Sequence, residues 1–167
     1  MNEEILPQPE EPASVALRCS ASPPNRILVV EDDSDIRNLN TEVLIFHGYQ
    51  VDAAEDGAVA WNTLQSGSYD LLVTDDEMPN VSGIELLKKL HAVRKGLPVI
   101  MAASKLPREE FNLHPWIRPT ALLLKPYTTE EFLGTVQEVL RAVVVAREQI
   151  APPSDWENLP AADGWQL

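Results

Sequence analysis

Acidic residues and one lysine stand where short apolar runs of the chain stop. Glu31, Asp32 and Asp33 follow "RILVV", Asp75, Asp76 and Glu77 follow "LLVT", and Lys125 follows "ALLL". Carboxylates gathered in one place raise one another's pKa unless a cation lies between them. An all-oxygen donor set suits Mg²⁺, which keeps several waters and takes one or two carboxylates together with phosphate oxygens. A lysine adds a mobile point charge for a second anion. Acids, a hard cation and a lysine make a phosphoryl-transfer site, which works by positioning and charge neutralisation. The acceptor would be a carboxylate, giving an aspartyl phosphate.

Such a site exists only if the apolar runs lie side by side. "RILVV", "QVDAA", "DLLVT", "LPVIMAA" and "PTALLL" read as five short strands, most of them apolar throughout. Helical patterns alternate with them. In "SDIRNLNTEVLIFHG", Ile36, Leu39, Val43 and Phe46 recur at helical spacing, with Ser34 a candidate N-cap and Gly48 a candidate stop. Asp56 and Gly57 open a short helix, and "SGIELLKKLHAV" forms a third, with Ile84, Leu87 and Leu90 on one face. Pro107, Pro115 and Pro119 limit a fourth to a short piece. Thr128 and Glu131 make a capping box for a long last helix, whose buried stripe is Phe132, Val136, Val139 and Val143. The expected fold is α/β: a doubly wound five-stranded parallel sheet with helices on both faces. In sheets of this kind, ligands bind beyond the carboxyl ends of the strands. The four acid and lysine positions converge there if strands one, three and five are neighbours. The bland alternative for Asp33 and Ser34 is capping alone. Asp33 and Asp35 have the Asp-x-Asp spacing of haloacid-dehalogenase-like phosphatases. They fall past the strand end, however, and an enzyme is not expected.

The motifs "ILVVEDD", "TDDEMPNVSGIELL", "LPVIM" and "LLLKPY", in this order, resemble the receiver domain of bacterial two-component response regulators, including the chemotaxis type. The resemblance implies a flavodoxin-like strand order, 2-1-3-4-5. It implies Asp75 as phosphoacceptor and Lys125 as the lysine that pairs with the phosphoryl group. Mg²⁺ would be held by Asp32 directly, by Glu31 through water, by Asp75, and by the backbone carbonyl of Glu77. Pro126 matches a proline preceded by a cis peptide bond, and Gly83 the glycine opening helix three. The phosphodonor would be a phosphohistidine on a sensor histidine kinase or phosphotransfer protein. His47, His91 and His114 fall on helix ends and loops and are not read as phosphorelay histidines.

The sequence departs from the resemblance at two switch positions. Strand four normally ends in Ser or Thr, and here that position is Ala103; Ser104 follows, one residue late and so turned to the other face. The aromatic switch of strand five is Leu122. Glu77 also puts an acid beside the phosphoryl group, at a position that tunes dephosphorylation in the family. Two functions therefore compete: a stand-alone receiver whose output is protein–protein contact with an unknown downstream protein, and a receiver-like interaction module that works independently of phosphorylation.

Composition bounds the partners. Of 167 residues, 26 are acidic and 13 are Lys or Arg, a net charge of −13. A polyanion gains little from a nucleic-acid backbone or an anionic membrane surface, so neither is an expected partner. A single Cys19 fits a reducing compartment, and no run is apolar enough to span a membrane; the expected location is cytoplasmic. The expected organisation is a disordered Pro/Glu-rich tail over 1–25, a receiver domain over 26–148 and an acidic tail over 149–167 that carries Trp156 and Trp165. The continuous Val143, Val144 and Val145 exceed one helical stripe. They pack against a tail or make a homodimer face.

Overall fold

A computed structural model describes residues 24–93 and 96–150. Cys19, Trp156 and Trp165, and the tail assignments built around them, lie outside those residues. Strands β1 (Arg26–Val30), β2 (Gln50–Ala54), β3 (Leu71–Asp75), β4 (Val99–Ala103) and β5 (Ala121–Leu124) alternate with helices α1 (Ser34–Phe46), α2 (Gly57–Ser66), α3 (Gly83–Val93), α4 (Arg108–Leu113) and α5 (Thr129–Ile150). A 3-10 turn, Pro115–Ile117, follows α4. The strands form one parallel sheet in the order β2-β1-β3-β4-β5.

The all-apolar strands are explained by two cores. Side chains alternate across a strand, so Leu28, Val30, Leu72 and Met101 face α2, α3 and α4, where they meet Leu64, Leu86, Leu90 and Phe111. Ile27, Val29, Val73 and Ile100 face the opposite way and meet Leu44 of α1 and Phe132, Val136 and Val139 of α5. The middle strands β3 and β4 are buried at every position.

Capping follows the sequence at most helix ends. Asp56 caps α2 through Ala58 N–H and Val59 N–H, both at 2.8 Å. The capping box before α5 is reciprocal: Thr128 N–H donates to Glu131 Oε2 at 2.8 Å, and Glu131 N–H to Thr128 Oγ1 at 3.1 Å. Gly48 ends α1 with φ +86°, a conformation that suits glycine. Two expectations change. Asp33, not Ser34, caps α1, accepting from Asp35 N–H at 2.8 Å and Ile36 N–H at 3.2 Å. The stripe read along α1 is only partly buried, because the helix turns Asn40 and Leu44 inward and leaves Leu39 and Phe46 exposed. Asn40 finds a partner there, donating to the Tyr127 hydroxyl at 3.1 Å. Among the described residues no helix is long and apolar enough to cross a membrane.

Candidate functional site

β1 and β3 are adjacent, with Val30 level with Thr74, so the residues that follow, Glu31 and Asp75, emerge together at the carboxyl edge. Glu31 and Asp75 are buried and Asp32 is exposed. Each offers a carboxylate oxygen, and these lie within 4.8 Å of one another. β5 is not a neighbour of β3; β4 stands between them. Lys125 nevertheless joins the cluster by spanning the end of β4. Its Nζ lies 2.9 Å from Asp75 Oδ2 and 3.1 Å from Glu31 Oε2. Its backbone N–H donates to Ala103 O at 2.9 Å, which seats the residue beside β4, and the peptide bond to Pro126 is cis. Ala103 is fully buried where β4 stops.

The electrostatics follow from this crowding. Burial pushes the Glu31 carboxyl up, the nearby Asp75 adds to the push, and Lys125 opposes both. Burial alone would lower the Lys125 ammonium. The hydrogen bond to Asp75 and the charge of Glu31 outweigh it and leave Lys125 raised. Asp76 is pushed up by burial and then by Asp75 and Glu77. Its N–H donates to Asp75 Oδ1 at 2.8 Å and to Ala102 O at 2.9 Å, so one oxygen of Asp75 is held by backbone while the other meets Lys125.

Glu77 lies exposed in the loop between β3 and α3. Ser104 is exposed and, with Ile36, Asn40, Lys125 and Tyr127, lines an open cavity of about 450 Å³ between α1 and the β5–α5 connection. Leu122 is half-buried against the core beneath α3 and α4.

Two contacts escaped the sequence reading. Arg37 Nη1 donates to the backbone carbonyls of Glu31 at 2.6 Å and Asp32 at 3.1 Å, clamping the loop that carries both acids. Asp56, expected only to open α2, also accepts from Asn80 Nδ2 at 2.6 Å. A basic residue in the first turns of α1, where the macrodipole disfavours it, was the available signal for Arg37. The "PN" of "MPNVSG" was the signal for Asn80, since Asn accepts a left-handed backbone more readily than other side chains; its φ is +63°.

The arrangement can hold a divalent cation on oxygens and an anion against Lys125. The family model for the response regulator receiver domain matches residues 27–137. The response regulator MprA of Mycolicibacterium vanbaalenii is 32% identical over 118 residues, which cover 71% of this chain and 51% of that protein. The chain thus spans about half the length of the curated relatives it matches. Among solved structures, chemotaxis response regulator CheY4 of Vibrio cholerae superposes with a TM-score of 0.64 at 29% identity, covering 70% of this chain and 98% of that one. Response regulator TrrA of Thermotoga maritima, in complex with Mg²⁺-BeF, gives 0.61 at 32% identity, covering 69% and 98%.

Proposed function

The chain belongs to the response regulator receiver domain family, and on that premise we propose that Asp75 accepts a phosphoryl group from a phosphohistidine of a sensor kinase or phosphotransfer protein. The observation that carries this reading is Lys125 Nζ held 2.9 Å from Asp75 Oδ2 beside the Glu31 and Asp32 carboxylates. In the transfer, Asp75 Oδ2 attacks phosphorus, the P–N bond of the donor breaks, and the imidazole leaves as the neutral ring, its proton already on the nitrogen that did not carry phosphorus. Asp76 N–H holds Asp75 Oδ1 and so orients the attacking oxygen. Lys125 then exchanges its contact with Oδ2 for one with a phosphoryl oxygen.

The donor set fits Mg²⁺, being made only of oxygens from Glu31, Asp32 and Asp75, with the Glu77 carbonyl in the adjoining loop. When bound, the ion supplies positive charge against the carboxylates and the incoming phosphoryl oxygens. The protein acts as a signalling receiver, not as an enzyme with a substrate of its own. It acts in the cytoplasm, and its output passes by protein–protein contact to a downstream protein.

The test is intact mass and thermal unfolding after acetyl phosphate or beryllofluoride with Mg²⁺. Wild type should gain a phosphoryl group and unfold at a higher temperature, and Asp75→Asn should do neither. An Asp75→Asn protein that responds like wild type would sink the assignment. Ala103, a methyl where a hydroxyl would meet the phosphoryl group, favours a second reading, an interaction module indifferent to phosphorylation. Equal partner affinity with and without beryllofluoride would select it.

A further inference from the structure

We propose that Asp56 and Asn80 form a positioning pair that fixes the β3–α3 loop for metal binding; the proposal rests on the reading of the Glu31, Asp32 and Asp75 cluster as a Mg²⁺ site. Asp56 is buried, 7% exposed, and both its oxygens are engaged. Oδ1 caps α2 on Ala58 N–H and Val59 N–H, and Oδ2 accepts Asn80 Nδ2 at 2.6 Å. The hydrogen bond is charge-assisted and short. It ties the N-terminus of α2 to a loop 24 residues further along the chain.

The rest of the loop is closed as tightly. Asn80 sits at φ +63°, where few side chains are at ease, so the backbone there is bent specifically. The next residue, Val81, rests directly on Gly57, and a methyl group at position 57 would overlap the Val81 carbonyl oxygen. At the other end, Gly83 N–H donates to Asp76 O at 3.0 Å, and a methyl group at position 83 would overlap the Asp75 carbonyl oxygen. The loop from Asp76 to Gly83 is therefore pinned to β3 at its ends and to α2 near its middle. Glu77, whose carbonyl the family resemblance makes the remaining ligand, lies three residues before the pin. Neither Asp56 nor Asn80 touches the reacting atoms; they act through the position of Glu77.

A purely structural role, capping α2, predicts something different. Asp56→Ser keeps an N-cap oxygen but is too short to hold Asn80. Asn80→Gly tolerates the left-handed backbone, keeps the α2 cap, and removes the amide. Mg²⁺ affinity of the full chain, measured by calorimetric titration for wild type, both single variants and the double variant, separates the roles, with metal-free thermal unfolding alongside. Each single variant should bind Mg²⁺ roughly tenfold more weakly, as for other residues that orient metal ligands. The double variant should be no worse than either, because the second change removes nothing further. Unchanged affinity in the singles overturns the pair. So do additive losses, which would make the residues independent, and losses that merely track the fall in unfolding temperature. A wild-type chain that takes up no Mg²⁺ overturns the metal site itself.

Discussion

At the scale of single residues, Lys125 occupies the place of a cation among acids. Its ammonium contacts Glu31 and Asp75, whose side chains are almost wholly buried, while the lysine side chain is 21% exposed. Lys125→Met would leave two buried carboxylates facing each other. The expected loss at neutral pH is about 2 kcal/mol, less than for a fully buried pair because the lysine is partly solvated. Glu31 is already pushed up by burial. Its native state binds a proton more readily than the unfolded chain, so the loss should shrink as pH falls through that raised value. Added Mg²⁺ should raise the unfolding temperature of Lys125→Met by more than that of wild type, because it replaces the missing charge; scanning calorimetry with and without the ion checks both. The acids and the lysine were legible in sequence because each stands where an apolar run stops. Arg37 and Asn80 were not. Arg37 meets backbone carbonyls five and six residues back, which no motif marks, and Asn80 meets a helix cap that only the fold brings near.

At the scale of elements, all five strands and all five helices were legible from period and punctuation. What escaped was which side of α1 the molecule would cover. Leu39 and Phe46 fit a helical stripe as well as Leu44 does, and only packing against α5 and β2 decides between them. Glycines show the same division between local and tertiary rules. Gly134, inside α5, has open space where a Cβ would go, and Gly83, at the start of α3, has the Asp75 carbonyl. Gly134→Ala should stabilise the protein by about 0.5–1 kcal/mol through helix propensity. Gly83→Ala should destabilise it by about 2 kcal/mol, since a backbone group must shift to admit the methyl. Urea unfolding of the two variants reads the contrast, and equal signs would show that loop contact does not govern Gly83.

At the scale of the whole molecule, order within the sheet cannot be read from a single strand; the motifs implied 2-1-3-4-5, and that is the order observed. Lys125 reaches Asp75 from two strands away. The opposite end of the sheet is held by a separate polar cluster. Arg26 Nε and Nη2 donate to Asp52 Oδ2 at 2.9 and 2.7 Å, and the Tyr69 hydroxyl donates to the same oxygen at 2.7 Å. These contacts join β1, β2 and the segment before β3. The Tyr69 hydroxyl, and then Arg26, hold the Asp52 carboxyl below its ordinary range against burial that would raise it. A carboxyl depressed in the native state stabilises above its unfolded pKa and loses that contribution as pH falls through the native value. Asp52→Asn should therefore cost up to about 1 kcal/mol at neutral pH. The difference from wild type should fade below pH about 4, as read from denaturant midpoints across pH.

The reach of Lys125 over β4 has a mechanical side. One side chain staples β1 and β3 to the outermost strand, and α5 begins four residues beyond it. A phosphoryl group on Asp75 that drew the ammonium away from Glu31 would release the tie to β1 and keep the one to β3. The β5–α5 connection would then be held to the sheet's carboxyl edge at one point instead of two and would be free to pivot relative to β1. Such a pivot would carry the site's state to the surface without any hydroxyl at the end of β4.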